Sequence, residues 1–348
     1  MRVECEGMQL HLQMQGNEQL SALITGRSGM GKTFLASCLG RELIDKGESV
    51  YLIDLGDKWS RADKERLISA GAVFHSVEKE GITLLFRENA EVCKCSRIIA
   101  NALGFRSANA VMVLKNAFKR LLFVCGQEFS IGELRDYLQA TVEAAPEESE
   151  WKLKVYDRLD SCDELSQVRF KVDVEMEFSP DSAIWDFSGM DDTFAQLSAY
   201  LISFCLLCRQ KLRFRLGITG NRSFLIIDEF QTLDCDRKSV IGTCLTEGRK
   251  YGLALILLTQ FLHGNFSDAV ISQFEQGGFR FYFRLTEEEA AIVSRELVGN
   301  SQERSVLYQK LVQIPQGHCL MIGRHRVGNK DMVTEAYRFV EIKDEWQA

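Results

Sequence analysis

The chain reads Gly26-Arg27-Ser28-Gly29-Met30-Gly31-Lys32-Thr33 at residues 26–33, which fits the phosphate-binding pattern G-x-x-x-x-G-K-[ST]. Glycines let such a loop curl so that successive backbone N–H groups point at phosphate oxygens. The apolar residues 20–25 predict a strand before the loop, and residues 34–39 predict a helix after it. This strand, loop and helix order is the context that a phosphate-binding loop requires. The sequence therefore predicts a nucleoside triphosphate site.

The loop also predicts which groups contact the ligand. Lys32 can reach the β- and γ-phosphates, and the Thr33 hydroxyl can ligate Mg²⁺. The positive end of the following helix would face the triphosphate. We expect ATP and Mg²⁺ as the ligands, with nucleotide contacts from Gly26, Ser28, Gly29, Met30, Gly31, Lys32, Thr33 and Phe34.

The composition predicts an ordered, globular protein. Of the 348 residues, 46% are hydrophobic and only three are proline, which suits one large domain or a core with one substantial insertion. The formal charge of −7 gives no bulk electrostatic argument for nucleic acid, although a local basic lining is compatible with it. Because no apolar stretch is long enough to span a membrane and the N-terminus has no secretory h-region, we expect a cytoplasmic protein.

The eleven cysteines are scattered along the chain. Cys205 and Cys208 form a C-x-x-C pair, but they lie inside an apolar helical run. No second pair occurs at zinc-ribbon spacing. We therefore expect reduced thiols in the protein core rather than a metal site.

Hydrophobic periodicity predicts an α/β fold with a parallel sheet. A buried strand at residues 49–53 ends on Asp54, and a helix at 61–69 and a strand at 72–77 follow it. This βαβαβ order favours a parallel sheet covered by helices. Residues 90–159 have helical periodicity. The expected organisation is a short N-terminal β-element at 1–19, an ATPase core at 20–89 and 160–348, and a helical insertion at 90–159.

A second stretch of the chain supplies acidic groups suited to hydrolysis. Residues 223–227 predict a buried strand that ends in Asp228 and Glu229, at the sheet edge where α/β proteins bind ligands. Asp228 would hold Mg²⁺ through water, and Glu229 would orient and deprotonate the attacking water. The alternative is a strand that is capped by solvated acids. The stretch therefore predicts ATP hydrolysis in addition to ATP binding.

A third buried strand, at residues 253–258, ends in Thr259 and Gln260. If this strand lies between the other two, the Gln260 amide could sense the γ-phosphate by hydrogen bonding. The alternative is an ordinary polar residue at a strand end. The prediction therefore depends on the order of the strands in the sheet.

Together these motifs resemble the HerA/FtsK superfamily of ring-forming motor ATPases, which includes the ATPases of conjugation and type IV secretion machines. The resemblance rests on GRSGMGKT at 26–33, IIDEFQ at 226–231 and GRKYG at 248–252 with the following strand. It covers the chain from about residue 20 to the end. It implies a RecA-like fold with an extra strand between the two Walker strands. It also implies a ring, usually a hexamer, with ATP at the subunit interfaces.

The same match makes Arg249 the candidate arginine that contacts the γ-phosphate, with a solvated helix end as the alternative. The arginine that reaches in from a neighbouring subunit is not fixed by the sequence, and Arg280, Arg284 and Arg295 are the candidates. His318 is expected to be structural. Only about 19 residues precede the strand of the loop, so we do not expect the large N-terminal β-domain of some superfamily members.

Two hypotheses describe the load of such a motor. The first is a DNA translocase or helicase, acting alone or as the ATPase subunit of a nuclease or defence complex. The second is an ATPase that energises a secretion or conjugation apparatus through protein partners. Double-stranded DNA would need a cationic lining, for which the candidate residues are Arg209, Lys211, Arg213, Arg215 and Arg222. Charges that complement a helix dipole are the alternative for that cluster. The segment 261–278 carries no Lys or Arg, which weakens the case for DNA.

Overall fold

The computed structural model describes residues 2–5, 8–12, 21–56, 58–145, 150–175, 181–218, 220–236, 238–262, 266, 271, 278–323, 325–327, 330–334 and 338–342. The chain divides into two compact units. The first unit comprises Met1–Phe74, Pro180–Ile184 and Gly220–Ala348, and the second comprises His75–Ser179 and Trp185–Thr219.

The strands are β1 (Arg2–Cys5), β2 (Met8–Leu12), β3 (Ala22–Thr25), β4 (Ser49–Asp54), β5 (Val73–Ser76), β6 (Ile82–Phe86), β7 (Glu128–Ser130), β8 (Val168–Val172), β9 (Ala183–Asp186), β10 (Ser223–Ile227), β11 (Leu253–Thr259), β12 (Phe279–Tyr282), β13 (His318–Ile322), β14 (His325–Val327), β15 (Lys330–Thr334) and β16 (Arg338–Glu341). The helices are α1 (Lys32–Asp45), α2 (Arg61–Ser69), α3 (Val77–Glu80), α4 (Asn89–Ala102), α5 (Ala108–Val124), α6 (Ile131–Ala144), α7 (Glu150–Asp160), α8 (Asp192–Arg215), α9 (Val240–Glu247), α10 (Glu287–Leu297) and α11 (Ser301–Gln313). Short 3₁₀ turns occur at Asp163–Gln167, Phe230–Thr232 and Gly248–Tyr251.

A thirteen-stranded sheet has the order β15-β14-β2-β1-β16-β13-β12-β3-β11-β10-β4-β9-β5. Strands β12, β3, β11, β10 and β4 pair in parallel, whereas β13 pairs with β12 in antiparallel orientation. All residues of β3, β4, β10 and β11 are buried. Such strands read as continuous apolar runs because a parallel sheet is covered on both faces. The predicted α/β fold class is confirmed.

The position of β11 decides the geometry of the site. It pairs with β3, the strand of the phosphate-binding loop, on one side and with β10, the strand before Asp228, on the other. The extra strand that the resemblance implies is therefore present. Because β3, β11 and β10 are parallel, their carboxyl ends lie at the same edge of the sheet.

The N-terminal residues belong to the same sheet. Strands β1 and β2 form an antiparallel pair, and β1 also pairs with β16 near the end of the chain. The predicted N-terminal β-element at 1–19 thus contains two strands within the described part of the chain, and they extend the core sheet.

The second unit contains a three-stranded sheet in the order β6-β8-β7, together with α4 to α8. Three phenylalanine rings pack together in this unit. The centroid of the Phe118 ring lies 4.9 Å from that of Phe129 and 5.2 Å from that of Phe170. The unit includes the residues predicted as a helical insertion, 90–159, and extends beyond them to 75–179 and 185–219. The reason is the pairing of β6 and β8, which joins residues on both sides of the predicted insertion.

The cysteine pair lies in α8 of this unit, where Cys208 is buried and the Cys205 thiol donates to the Leu85 carbonyl at 3.1 Å. Among the described residues, no group of three or more His, Cys, Asp or Glu side chains is arranged to hold a metal ion. No helix in the described ranges is long and apolar enough to cross a membrane.

Candidate nucleotide site

The phosphate-binding loop joins β3 to α1 and depends on its glycines. Gly26, Gly29 and Gly31 have φ angles of 149°, 74° and 110°, a region that side chains other than glycine rarely adopt. A Cβ atom on Gly26 would lie 2.6 Å from the Cβ atom of Phe283. The loop therefore needs glycine at position 26 for conformation and for space.

Lys32 is the first residue of α1, and its ammonium group turns back over the loop. It donates to the carbonyl oxygens of Gly26 at 2.6 Å and Arg27 at 3.1 Å. Burial lowers the pKa of Lys32, while the negative charges of Asp228 and Glu229 raise it. The Lys32 ammonium is thus bound to neutral carbonyl oxygens. Phosphate oxygens are charged and therefore stronger acceptors, so they can replace these carbonyls.

The outer side of the loop is held by a second part of the chain. The Arg27 N–H donates to the Arg284 carbonyl at 2.9 Å, and the Gly317 N–H donates to the Met30 carbonyl at 3.0 Å. The Gln316 side-chain amide donates to the Gly29 carbonyl at 3.0 Å. Sequence reasoning missed Gln316, because no local pattern connects it to a loop 287 residues away.

Asp228 follows β10 and is only 2% exposed. Its Oδ1 atom accepts the Glu229 N–H at 2.8 Å, but its buried Oδ2 atom has no hydrogen-bond partner among the described residues. Burial raises the pKa of Asp228 to about 7. The charges of Glu229 and Asp54 also raise it, while the Glu229 N–H and Lys32 lower it. A buried carboxylate oxygen without a partner fits a group that receives a cation or a cation-bound water.

Glu229 has the opposite surroundings, although it is the next residue. Its carboxylate accepts hydrogen bonds from Lys58 and Gln260 on Oε1, the latter at 2.8 Å, and from Gln231 on Oε2. Burial raises the pKa of Glu229, but these three donors outweigh burial and the net shift is downward. The carboxylate is therefore held ionised, with both oxygens fixed in place.

The donor count leaves room for one more hydrogen bond at Glu229. A carboxylate has about four acceptor positions; two donors use Oε1 and one uses Oε2. The buried Oε1 atom of Gln231 also has no partner among the described residues. The remaining acceptor position of the Glu229 carboxylate is available to a water, as a group that orients a nucleophile requires.

The Lys58 contact depends on Gly56. A Cβ atom at Gly56 would lie 3.3 Å from Glu229 Cγ and 3.6 Å from Lys58 Cε. The lysine chain therefore passes over a position that has no side chain, and this allows its ammonium to reach Glu229. Sequence reasoning missed Lys58.

Gln260 and Arg249 lie at opposite ends of β11. Gln260 follows the carboxyl end and contacts Glu229. Arg249 lies in the 3₁₀ turn before the amino end and is exposed. Seven strand residues separate the two ends by about 20 Å at 3.3 Å per residue. The structure thus does not bring Arg249 to the loop of its own chain, and a contact with a neighbouring subunit's nucleotide stays a prediction.

The other basic candidates are mostly engaged elsewhere. Arg213 is buried, Arg215 lies 3.7 Å from Glu88 and 3.8 Å from Glu91, and Arg222 contacts Glu48 at 2.9 Å. These three arginines are thus buried or engaged by acids of the same chain. Most of the segment 261–278 lies outside the described residues.

The candidates for the neighbour-reaching arginine, and His318, lie on the C-terminal side of the chain. The Arg284 guanidinium donates to the Ile314 carbonyl at 2.8 Å, Arg280 is partly buried, and Arg295 is exposed. His318 Nδ1 lies 3.1 Å from the Gln316 carbonyl oxygen, next to the turn that holds the loop. These positions leave the neighbour-reaching arginine unassigned.

Solved structures share this fold over nearly the whole chain. VirB4 of Thermoanaerobacter pseudethanolicus is similar with a TM-score of 0.70 and 16% identity, covering 99% of this chain and 96% of that one. The plasmid coupling protein TrwB with the GTP analogue GDPNP gives 0.62 and 13%, covering 99% and 95%. The unbound bacterial conjugative coupling protein TrwB gives 0.61 and 14%, covering 98% and 88%.

No family model matches the chain, and no curated protein matches it in sequence. At the identities of the solved structures, the likeness establishes the fold. It confirms the architecture that the resemblance to the HerA/FtsK superfamily predicts.

Proposed function

We propose that the chain is an ATP-hydrolysing ring motor of the HerA/FtsK type that translocates DNA, alone or as the ATPase subunit of a larger complex. The observation that carries the proposal is the meeting of Lys32, Asp228 and Glu229 at one edge of the sheet. Strands β3 and β10 both pair in parallel with β11, so the loop and the acidic pair follow carboxyl ends of strands at the same edge of the sheet. Cation, metal-binding carboxylate and base are the parts that phosphoryl transfer to water needs.

The loop would bind the triphosphate through its backbone N–H groups and Lys32. On binding, the Lys32 ammonium would exchange the carbonyls of Gly26 and Arg27 for phosphate oxygens. The carbonyls of Gly29 and Met30 are held from outside by Gln316 and Gly317. The loop is thus preorganised before the ligand arrives, which lowers the cost of binding.

The residues present fit Mg²⁺. The Thr33 hydroxyl follows Lys32 at the start of α1, and the buried Asp228 Oδ2 lacks a hydrogen-bond donor among the described residues. Oxygen ligands of this kind suit Mg²⁺, which would neutralise charge on the phosphate oxygens. Thr33 and Asp228 are therefore the residues proposed to hold it.

Glu229 would orient the attacking water and accept its proton. Three hydrogen bonds fix the carboxylate, so its remaining acceptor position has a defined direction. Gln260 bonds to the same carboxylate, so a change in its contacts would be felt directly by Glu229. This is a physical basis for the γ-phosphate sensing that we predict for Gln260.

The proposed ring and its load rest on the resemblance to the HerA/FtsK superfamily. In a hexamer with ATP at the subunit interfaces, the exposed Arg249 is the candidate to contact the nucleotide of a neighbouring subunit. The alternative load is a protein substrate or partner in a secretion or conjugation apparatus. It is favoured by the fold shared with VirB4 and with the conjugative coupling protein TrwB.

One assay tests the function and separates the two loads. ATP hydrolysis is measured with and without a double-stranded DNA of mixed sequence, at fixed salt, on protein whose mass in solution is determined with ATP present. The proposal expects hydrolysis by a hexamer and a rise in rate with DNA. A hexamer whose hydrolysis does not respond to DNA favours the secretion alternative. A monomeric protein that hydrolyses no ATP contradicts both.

A further inference from the structure

A stretch of the second unit contains cations but no acids, a pattern that residues 193–227 share with five Lys and Arg. Residues 92–127 contain six Lys and Arg and no Asp or Glu, whereas the whole chain has 42 of the former and 49 of the latter. At the average frequency, these 36 residues would carry about five acids. The six cations are Lys94, Arg97, Arg106, Lys115, Lys119 and Arg120. We call residues 92–127 the basic hairpin, because they span α4 and α5 with the short connection between them.

All six cations of the basic hairpin are exposed. None forms an ion pair with an acidic side chain in the part of the chain that the structure describes. Glu91, in the first turn of α4, differs from these cations because it is buried and lies 3.8 Å from Arg215. Glu91, the acid just before the basic hairpin, is thus close to a cation, and the hairpin's own cations face solvent.

Each of the two helices carries a pair of exposed cations. Burial raises the pKa of the Cys93 thiol on α4, and the positive charges of Lys119 and Lys115 on α5 act against that rise. These lysines therefore lie near Cys93 across the helix pair. Lys94 and Arg97 are three positions apart on α4, and Lys115 and Lys119 are four apart on α5. All four are exposed, so each pair follows one exposed helix face.

The apolar side of α5 is not available to a ligand. Leu114, Phe118 and Leu121 are buried within the second unit. The exposed apolar residues of α5 are Met112, Phe123 and Val124, at 57%, 80% and 61%. Met112 lies three turns from the other two, and the exposed Lys115 and Lys119 lie between them, so they form no continuous apolar strip. A helix that inserts in a bilayer needs such a strip. The surface is therefore suited to a rigid polyanion rather than to a lipid surface.

We propose that the basic hairpin binds the phosphate backbone of double-stranded DNA, and this inference rests on the proposed motor function because it identifies where the motor contacts its load. Duplex DNA carries a negative charge about every 1.7 Å along its axis, and cations that neutralise phosphates release counterions. Backbone contacts of this kind are independent of sequence, which is what a motor that moves along DNA requires.

The test compares two triple variants of the full-length chain that lose the same charge. The first is Lys94→Gln, Lys115→Gln and Lys119→Gln, within the basic hairpin. The control is Lys154→Gln, Arg169→Gln and Lys171→Gln, at exposed cations of the same unit outside it. Binding of a fluorescein-labelled duplex of mixed sequence is followed by anisotropy between 50 and 200 mM salt, concentrations at which phosphate contacts dominate. ATP hydrolysis without DNA is measured in parallel.

We expect the hairpin variant to bind at least about tenfold more weakly than the wild type, with a salt dependence reduced by about two to three counterions. The control should stay within about threefold, and ATP hydrolysis without DNA should be unchanged in both. Equal binding by the hairpin variant and the wild type overturns the inference while leaving the ATPase proposal intact. Equal weakening in both variants also overturns it, since net charge alone would then explain the effect.

Two further outcomes separate this inference from the proposed function. Hairpin-dependent binding to vesicles containing phosphatidylserine, without DNA binding, overturns the DNA assignment in favour of a membrane surface. A wild type that binds DNA through the basic hairpin but hydrolyses no ATP supports the DNA contact and contradicts the proposed motor.

Discussion

The two halves of the candidate site are built in different ways. In the phosphate-binding loop, residues 26–33, Lys32 contacts carbonyls only five and six positions away. At the ends of β10 and β11, Glu229 is held by Lys58, which is 171 positions away, and by Gln260, which is 31 positions away. The loop is therefore a local structure, whereas the acidic half is assembled by the order of the strands. Changes in the loop should act on binding, and changes in the acidic half should act on hydrolysis.

After Glu229→Gln, the largest fall in kcat is expected for Asp228→Asn. This change removes the buried negative charge proposed to hold Mg²⁺, so kcat should fall by about 10²- to 10³-fold. The measurement is steady-state phosphate release at saturating ATP and Mg²⁺. A variant that retains more than about half of the wild-type kcat contradicts the role of Asp228.

The same variant should be more stable than the wild type without nucleotide and Mg²⁺. The folded-state pKa of Asp228 is raised to about 7, so the stability that its protonated form contributes is lost as the pH rises. The advantage of Asp228→Asn should therefore grow between about pH 4 and pH 7 and then level off. Scanning calorimetry should show a higher midpoint for the variant, by about 2 °C or more at pH 7.5. A lower midpoint at that pH would mean that favourable contacts of the Asp228 carboxylate outweigh the cost of burying its charge.

Lys32→Ala tests the loop half. The ammonium makes charge-assisted bonds to phosphate oxygens in the proposed complex, so its loss should weaken ATP binding by about 30- to 100-fold. Isothermal titration with a non-hydrolysable ATP analogue measures this directly. An unchanged affinity would show that the loop does not bind the triphosphate in the proposed manner.

Lys58→Met tests whether the acidic half needs its remote donor. Because Lys58 acts through Glu229, kcat should fall by about tenfold while the KM for ATP changes little. Lys58→Arg should restore most of the rate. The matched control is Lys46→Met, since the Lys46 and Lys58 side chains are 42% and 41% exposed and both pair with a glutamate.

The comparison can be sharpened by combining Lys58→Met with Glu229→Gln. If Lys58 acts only by positioning Glu229, the double variant should be no slower than Glu229→Gln alone. A further loss in the double variant, or an equal loss in Lys46→Met, would contradict a positioning role.

The smallest effect is expected for Gln316→Ala. This change removes one hydrogen bond to the Gly29 carbonyl at the outside of the loop, which should weaken the affinity for the ATP analogue by about threefold to tenfold. Gln313→Ala is a suitable control, because Gln313 is exposed at the end of the neighbouring helix. An equal effect of both changes would mean that Gln316 does not support the loop.

The sequence predicts those parts of the site that follow from local pattern and from general rules of parallel sheets. The loop is a contiguous motif, and Asp228 and Glu229 follow a buried apolar strand. The link between Gln260 and this site needed one further fact, the position of β11 between β3 and β10, which the resemblance implied.

Other parts could not be predicted, because they depend on contacts between distant residues. Lys58, Gln231 and Gln316 carry no local signal for the groups they contact, and the pairing of β6 with β8 moves the boundary of the second unit. The basic hairpin is different, because the absence of acids from residues 92–127 is visible in the sequence. The structure adds that its six cations are exposed and that both helices carry some of them.

The central claim is that Glu229 activates water for ATP hydrolysis at a site whose binding half is independent of it. Glu229→Gln tests this most directly, with phosphate release and the affinity for ATP measured on the same preparation. We predict a fall in kcat of about 10³-fold or more, with an ATP affinity within about threefold of the wild type. A variant that hydrolyses ATP at the wild-type rate would contradict the account.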